Sequence, residues 1–235
     1  MDGDAIHMRS AWDSQAGNWI AWARAPEHDH FFWRLGLPAL LALLPAPGRR
    51  TLDLACGEGR VSRVLAERGH AVVGVEGSPA LAAAARQAAP AIEVLDGDAT
   101  ALPLPAGAVD LVVCSMALLN FDDIDGAVRE AARVLEPGGR LCFSTVHPWN
   151  SLKSGRDYFA EHTYAEERTR GGLTMTFTDR HRPLGAITAA FERADLVIEA
   201  LREPVPDAAH IVAHPEVEQW TRRPAFLLGR CRKGA

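Results

Sequence analysis

From Arg50 onward, short β-rich runs alternate with helical patterns, and this alternation limits the possible folds more than any other feature of the chain. The runs "TLDLA", "AVVGVE", "IEVLDG", "VDLVVCS" and "GRLCFSTV" are mostly continuous apolar stretches, as strands covered on both faces must be. The segments between them carry helix punctuation. "GRVSRVLAERG" stops at Gly69, a natural residue just past a helix end, and "SPALAAAARQAAP" opens with Ser78 as cap and Pro79 at the first helical position. "DDIDGAVREAARVLEPGG" places acids in its first turn and ends on a Pro-Gly-Gly stop. Three β-to-α units in succession predict an α/β fold, a Rossmann-like doubly wound sheet with helices on both faces.

The pattern changes after the fifth strand. "HPWNSLKSGRDYFAEHTYAEERTRGG" is polar, aromatic and irregular, and "LTMTFTDRH" then alternates like an exposed strand whose edge could pair with a second copy. Residues from about 149 to 182 therefore read as an insertion over a site. The helix "PLGAITAAFERADL" and two strands, "VIEALREP" and "AFLLGRCRK", close the chain. Residues 1–49 are helix-like and hold Trp12, Trp19, Trp22 and Trp33 beside Phe31 and Phe32, the composition of an aromatic lid over a domain spanning 50–235. At 235 residues, one sizeable core is expected.

Charge and cysteine usage narrow the partners. A formal net charge of -5 gives no footprint for nucleic acid or an anionic membrane surface. Cys56, Cys114, Cys142 and Cys231 are dispersed, and small buried thiols account for them better than a metal or a disulfide. The start "MDGDAIHMRS" lacks a signal pattern, and no apolar run approaches the roughly 18 residues of a membrane span, so a cytoplasmic protein is expected, monomer or homodimer.

The stretch "TLDLACGEGR" occupies the first β-to-α turn, the place where open parallel sheets bind ligands. Gly57 and Gly59 remove side chains, so backbone N–H groups can approach a ligand and positive φ costs little. Three acids stand near this turn. Glu76 closes the second strand, where a carboxylate can accept from two ribose hydroxyls. Asp98 closes the third, within reach of an adenine amino group, and Asp53 precedes the glycines. Singly, strand-end acids often do no more than cap a helix; at the ends of successive strands they are more specific. The turn contains no lysine and no P-loop pattern, and its tip reads as ringed by carboxylates and empty of cations. A nicotinamide dinucleotide domain would need a third glycine where Ser62 stands, and its pyrophosphate would be repelled by Asp53 and Asp98.

In order and spacing, "LDLACGEGR", "VVGVEGSP", "GDATALPLPAGAVDLVVCSMALLNFDD" and "ARVLEPGGRLCFSTVHP" resemble the motifs of class I S-adenosylmethionine-dependent methyltransferases, in the small bacterial branch near ubiquinone and menaquinone biosynthesis methyltransferases. The resemblance implies a seven-stranded, mostly parallel sheet whose last strand is antiparallel. It also implies S-adenosyl-L-methionine as cofactor. Asp53, Ala55, Gly57 and Gly59 would cradle the methionine part, with Cys56 in a slot for small residues. Glu76 would hold the ribose beside Gly77 and Ser78, Asp98 and Ala99 would face the adenine, and Cys114, Ser115 and Met116 would pass under the sulfonium.

Methyl transfer from a sulfonium needs positioning above all, and one general base where the acceptor carries a proton. His147 at the end of the fifth strand, Asn120 after the fourth and Tyr164 in the insertion are the candidates. Trp12, Trp19 and Trp22, with His147, Tyr158 and Tyr164, are candidates for contacting a small aromatic or partly apolar acceptor. His162 and His181 complete the insertion's supply of polar groups, and no metal is expected. A dinucleotide-dependent oxidoreductase and a cofactor-binding protein without catalysis are the alternatives.

Overall fold

The protein is described here by a computed structural model covering residues 7–234; residues 1–6, on which the acidic start of the lid segment falls, and residue 235 lie outside the described residues. The five apolar runs form β1 (Thr51–Leu54), β2 (Val72–Glu76), β3 (Glu93–Asp96), β4 (Val109–Ser115) and β5 (Leu135–Val146), all mutually parallel. The closing strands are β8 (Leu196–Arg202) and β9 (Phe226–Lys233), and β9 runs antiparallel to both of its neighbours. The order β3-β2-β1-β4-β5-β9-β8 reverses between β1 and β4, which places a crevice at their carboxyl ends.

The predicted punctuation holds. Gly69 sits at φ 90° and its N–H donates to the Ala66 carbonyl at 2.9 Å, ending α4 (Arg60–Glu67). Ser78 caps α5 (Pro79–Ala88) by accepting from Leu81 N at 3.2 Å, and Asp123 caps α6 (Ile124–Val134) by accepting from Gly126 N at 2.9 Å. The run "LEPGG" differs from the expected helix stop. Strand β5 begins at Leu135, which pairs with Val109, and the ladder resumes at Leu111 and Arg140 after an irregularity.

Two apolar layers hold the sheet. On one face Phe143 packs on Phe191 of α8 (Leu184–Arg193), with ring centroids 5.0 Å apart, and the core continues into α6. On the other, Leu111, Val113 and Leu228 meet α4 and the amino-terminal Phe32, Leu35 and Leu40. All four cysteines are buried and unbridged.

The insertion is more regular than expected. "HTYAEERTR" is β6 (His162–Arg170), paired antiparallel with β7 (Leu173–His181) from His162 opposite His181 to Arg170 opposite Leu173. The turn is Gly171-Gly172, both at positive φ, the conformation that a two-residue hairpin turn requires and that glycine adopts without strain. Strand β7 is not an exposed strand: Met175, Thr178, Asp179 and His181 are buried, with α1 (Met8–Ser14), α2 (Ala16–Arg24) and the short turns Leu118–Asn120 and Pro148–Ser151 against it. A short helix α9 (Ala208–Ala213) and a 3-10 segment, Pro215–Thr221, join β8 to β9. No helix among the described residues is long and apolar enough to cross a membrane.

Candidate active site

Strand β1 delivers its carboxyl end into a turn in which the backbone, more than the side chains, is presented. Ala55 (φ 56°), Gly57 (φ 60°) and Gly59 (φ 82°) are all left-handed, a conformation that costs an alanine roughly 1–2 kcal/mol. Met116, at the matching end of β4, is held at φ 56°. Both strained non-glycine residues line one cavity of about 630 Å³. A Cβ on Gly57 would lie 3.4 Å from the Trp19 indole nitrogen, so the missing side chain keeps the cradle open beneath the lid.

Glu76 is 8% exposed and tied at both oxygens: Gly57 N–H and Ser78 N–H each donate to it at 2.8 Å. Each oxygen keeps a further lone pair for hydroxyl donors. Burial pushes its pKa up, while the backbone N–H groups of Ser78, Gly57 and Gly77 and the charge of Arg9 pull the other way. Asp53, buried beneath the turn, accepts from Ser62 Oγ at 2.5 Å, and burial pushes its pKa up to about 7 against that bond. The third-glycine position of a dinucleotide motif is thus taken by a serine that anchors an acid. Asp98 accepts from Thr100 N and Oγ1 at 2.7 and 2.6 Å, which lowers its pKa.

Ala55, Cys56, Gly77, Ser78, Ala99 and Ser115 line the cavity as expected. Two expected contacts do not. Cys114 is fully buried in the core with its thiol pushed up by desolvation, and Gly59 heads α4 with its missing Cβ 3.1 Å from that of Ala85, serving helix packing. The expectation of a cation-free tip also fails. Arg60 lines the cavity with its guanidinium 3.5 Å over Phe32 and 4.7 Å from the Trp19 ring centroid, neutralised by Asp29 at 2.8 Å.

Helices α1 and α2 and the hairpin roof the far end. Trp12, Trp19 and Trp22 all turn edges or faces to Phe177 of β7, with centroids 6.4, 6.2 and 5.6 Å away. Such edge-to-face pairs add about 0.5–1.5 kcal/mol each beyond burial. The Trp12 indole nitrogen is buried without a partner among the described residues.

Asn120 and Tyr164 meet here at a residue that sequence reasoning missed. Asn120 Nδ2 donates to Asp179 Oδ1 at 2.8 Å and to the Thr178 carbonyl at 3.2 Å, and Tyr164 stands opposite Asp179 across the hairpin. Burial raises Asp179 to about 6 despite the Asn120 bond, and burial followed by the charges of Asp179 and Glu166 raises the Tyr164 phenol. Lys153 and Arg168, also in the lining, are paired with Glu166 at 2.8 and 3.0 Å.

His147 is displaced from the expected role. Its Nδ1 accepts from Trp149 N at 3.1 Å, capping the single turn Pro148–Ser151, while Nε2 lies 3.0 Å from Glu203; the residue does not line the cavity. Tyr158 is likewise outside the lining, its hydroxyl accepting from Leu184 N at 3.0 Å. His181 is buried between Ser151 Oγ at 2.7 Å and the Tyr158 carbonyl at 2.9 Å, with His162 stacked on it at 4.9 Å; both are framework.

Residues 52–143 match the family model described as a methyltransferase domain. A demethylmenaquinone methyltransferase of Thermus thermophilus is 46% identical over 107 residues, covering 43% of this chain and 48% of that protein. A malonyl-[acyl-carrier protein] O-methyltransferase of Serratia marcescens is 38% identical over 100 residues, 43% of this chain and 39% of that protein. The matches thus span less than half the length of these relatives. Over 90% of this chain and the whole of the other, the fold superposes with a TM-score of 0.69 and 29% identity on an S-adenosylmethionine dependent methyltransferase from Mesorhizobium loti. The Mesorhizobium loti protein is named for S-adenosylmethionine, and the residues present here fit that group: an open glycine cradle, and a carboxylate pinned by backbone amides at the end of β2.

Proposed function

We propose that the chain transfers a methyl group from S-adenosylmethionine to a small, flat, partly apolar acceptor, with Asp179 as the group that receives the acceptor's proton. When bound, the cofactor supplies an activated methyl on a sulfonium centre. Asp53, Gly57 and Met116 would hold its methionine part, Glu76 its ribose and Asp98 its adenine. The Trp12, Trp19, Trp22 and Phe177 edges exclude water from the acceptor end and favour a planar guest. The unpartnered Trp12 N–H suits a guest with a hydrogen-bond acceptor.

The observation that carries the assignment of Asp179 is its placement. It is a buried carboxylate in the cavity lining, with one oxygen fixed by Asn120 and a raised pKa of about 6, close to a working pH. Asn120 orients it, and Tyr164 shapes the adjoining wall. The name of the Thermus relative, a demethylmenaquinone methyltransferase, agrees with a ring acceptor. The test is a methyl-transfer screen with labelled cofactor across phenols, quinols, indoles and amines, followed by single-turnover kinetics of Asp179→Asn on the best acceptor. Transfer to a ring acceptor that depends on Asp179 supports the reading. Transfer that ignores Asp179 at every pH removes it from the proton step.

A further inference from the structure

Behind the wall that Phe31 and Trp220 give to the cavity, four residues outside the proposed chemistry converge. His30 comes from the amino-terminal segment. His210 lies in α9, His214 follows four residues later at its end, and Glu216 lies in the first turn of the 3-10 segment. His30 Nε2 is 3.3 Å from Glu216 Oε1, and His214 Nδ1 is 3.7 Å from that oxygen. The His30 and His214 rings stack with centroids 3.8 Å apart and planes within 2°. His30 Nε2, His214 Nδ1 and one Glu216 oxygen all lie within 4.8 Å of one another. Donors around a tetrahedral zinc, with bonds of about 2.0–2.1 Å, are separated by about 3.4 Å, so the donors must draw together and the partly exposed His214 ring must turn out of its parallel stack for both lone pairs to meet one ion.

We propose that His30, His214 and Glu216 bind one divalent transition-metal ion of the zinc class, and that the ion staples the amino-terminal segment to the 208–221 wall of the cavity. Two imidazole nitrogens and one carboxylate oxygen suit zinc and its neighbours, whereas magnesium and calcium require mostly oxygen donors. The second nitrogen of His30 supports the same assignment. His30 Nδ1 lies 3.0 Å from His210 Nε2, so donating its proton there turns the Nε2 lone pair toward the metal position and fixes the ring. His30 and His210 are buried, while Glu216 is half-exposed at the rim, which leaves a path for the ion and room for water in the remaining position.

Two cations face this cluster, Arg170, whose Nη1 donates to the His28 carbonyl at 2.6 Å, and Arg34 on the side of His210; with Glu216 the only carboxylate among the proposed ligands, affinity rests on the imidazoles. None of the three ligands lines the cavity, so the ion acts on shape. Phe31 packs against His30 at 4.9 Å and against Trp220 at 6.1 Å, so fixing the triangle fixes that wall.

The test is calorimetric titration of the chelator-treated full chain with zinc chloride in excess magnesium. The wild type is expected to take up one equivalent, and Glu216→Gln, His214→Ala and the double variant are each expected to weaken it by at least about tenfold. Glu216→Gln lies at an exposed position, so circular dichroism should show an unchanged fold, and His162→Ala serves as a histidine control with unaltered uptake. No uptake by the wild type, or equal uptake by wild type and double variant, would overturn the site.

Discussion

The two ends of the cavity are built in opposite ways. The end proposed for the cofactor comes mainly from residues 51–100, in which three strand ends and their turns lie side by side, with Met116 added from the end of β4, and its main groups are backbone amides and strand-end acids. The acceptor end gathers Trp12, Trp19, Trp22, Asn120, Tyr164, Phe177, Asp179 and Trp220 from segments far apart in the chain. The first is an arrangement that a fold imposes on its ligand. The second depends on side chains chosen position by position, so substitutions there should separate chemistry from binding.

The largest expected effect follows from that separation. Asp179→Asn should lower single-turnover transfer by about 10²- to 10⁴-fold, leaving cofactor affinity within a factor of about two. Because Asp179 acts as a base only when ionised, and its pKa is raised to about 6, wild-type transfer should rise with pH through that value and the variant should lose the dependence. A pH-rate profile checks the sign.

Next, Trp22→Ala should cost about 3–5 kcal/mol in urea denaturation, because Trp22 is among the largest fully buried side chains and packs on Phe177. That result would show the lid to be part of the folded core. Glu76→Ala should weaken binding of S-adenosylhomocysteine by about 1.5–3 kcal/mol while moving acceptor KM little.

Smaller effects belong to Asp53, whose burial beneath the turn ties it to stability as well as to the proposed cofactor site, and to His147. Asp53 holds its proton in the folded chain up to about pH 7, against 3.8 for an ordinary aspartate, so its contribution to stability is complete below 3.8 and is lost as pH rises through 7. Asp53→Asn should flatten that limb of a stability-versus-pH curve. His147→Ala should change methyl transfer by less than about twofold, since the residue caps a turn outside the lining.

The cofactor end was legible in the sequence because its signals are local. Gly57 of "TLDLACGEGR", the acid closing "VVGVE" and the cap at Ser78 each follow from a rule about neighbouring residues, and each stands where it was expected. Gly59 and Cys114 were misread for a related reason: adjacency to the turn is visible in sequence, whereas the packing of Gly59 against Ala85 and the burial of Cys114 in the core are not. The hairpin had a readable signal in Gly171-Gly172 between two alternating runs, which would have turned "HTYAEERTR" from irregular chain into a strand. Asp179 then occupies a buried position opposite Tyr164, and only the pairing register reveals that. His147 drew attention as a titratable group at a strand end, but the Pro148 turn uses its ring as a cap. Arg60 escaped notice because its charge is cancelled by Asp29, thirty-one residues upstream.

Titration calorimetry of the wild type, Glu76→Ala and Asp179→Asn with S-adenosylhomocysteine tests the division between the two ends most directly. Tight uptake by the wild type and by Asp179→Asn, with loss confined to Glu76→Ala, is the predicted result. Indifference of the wild type to the nucleoside, or an equal loss in both variants, would contradict it.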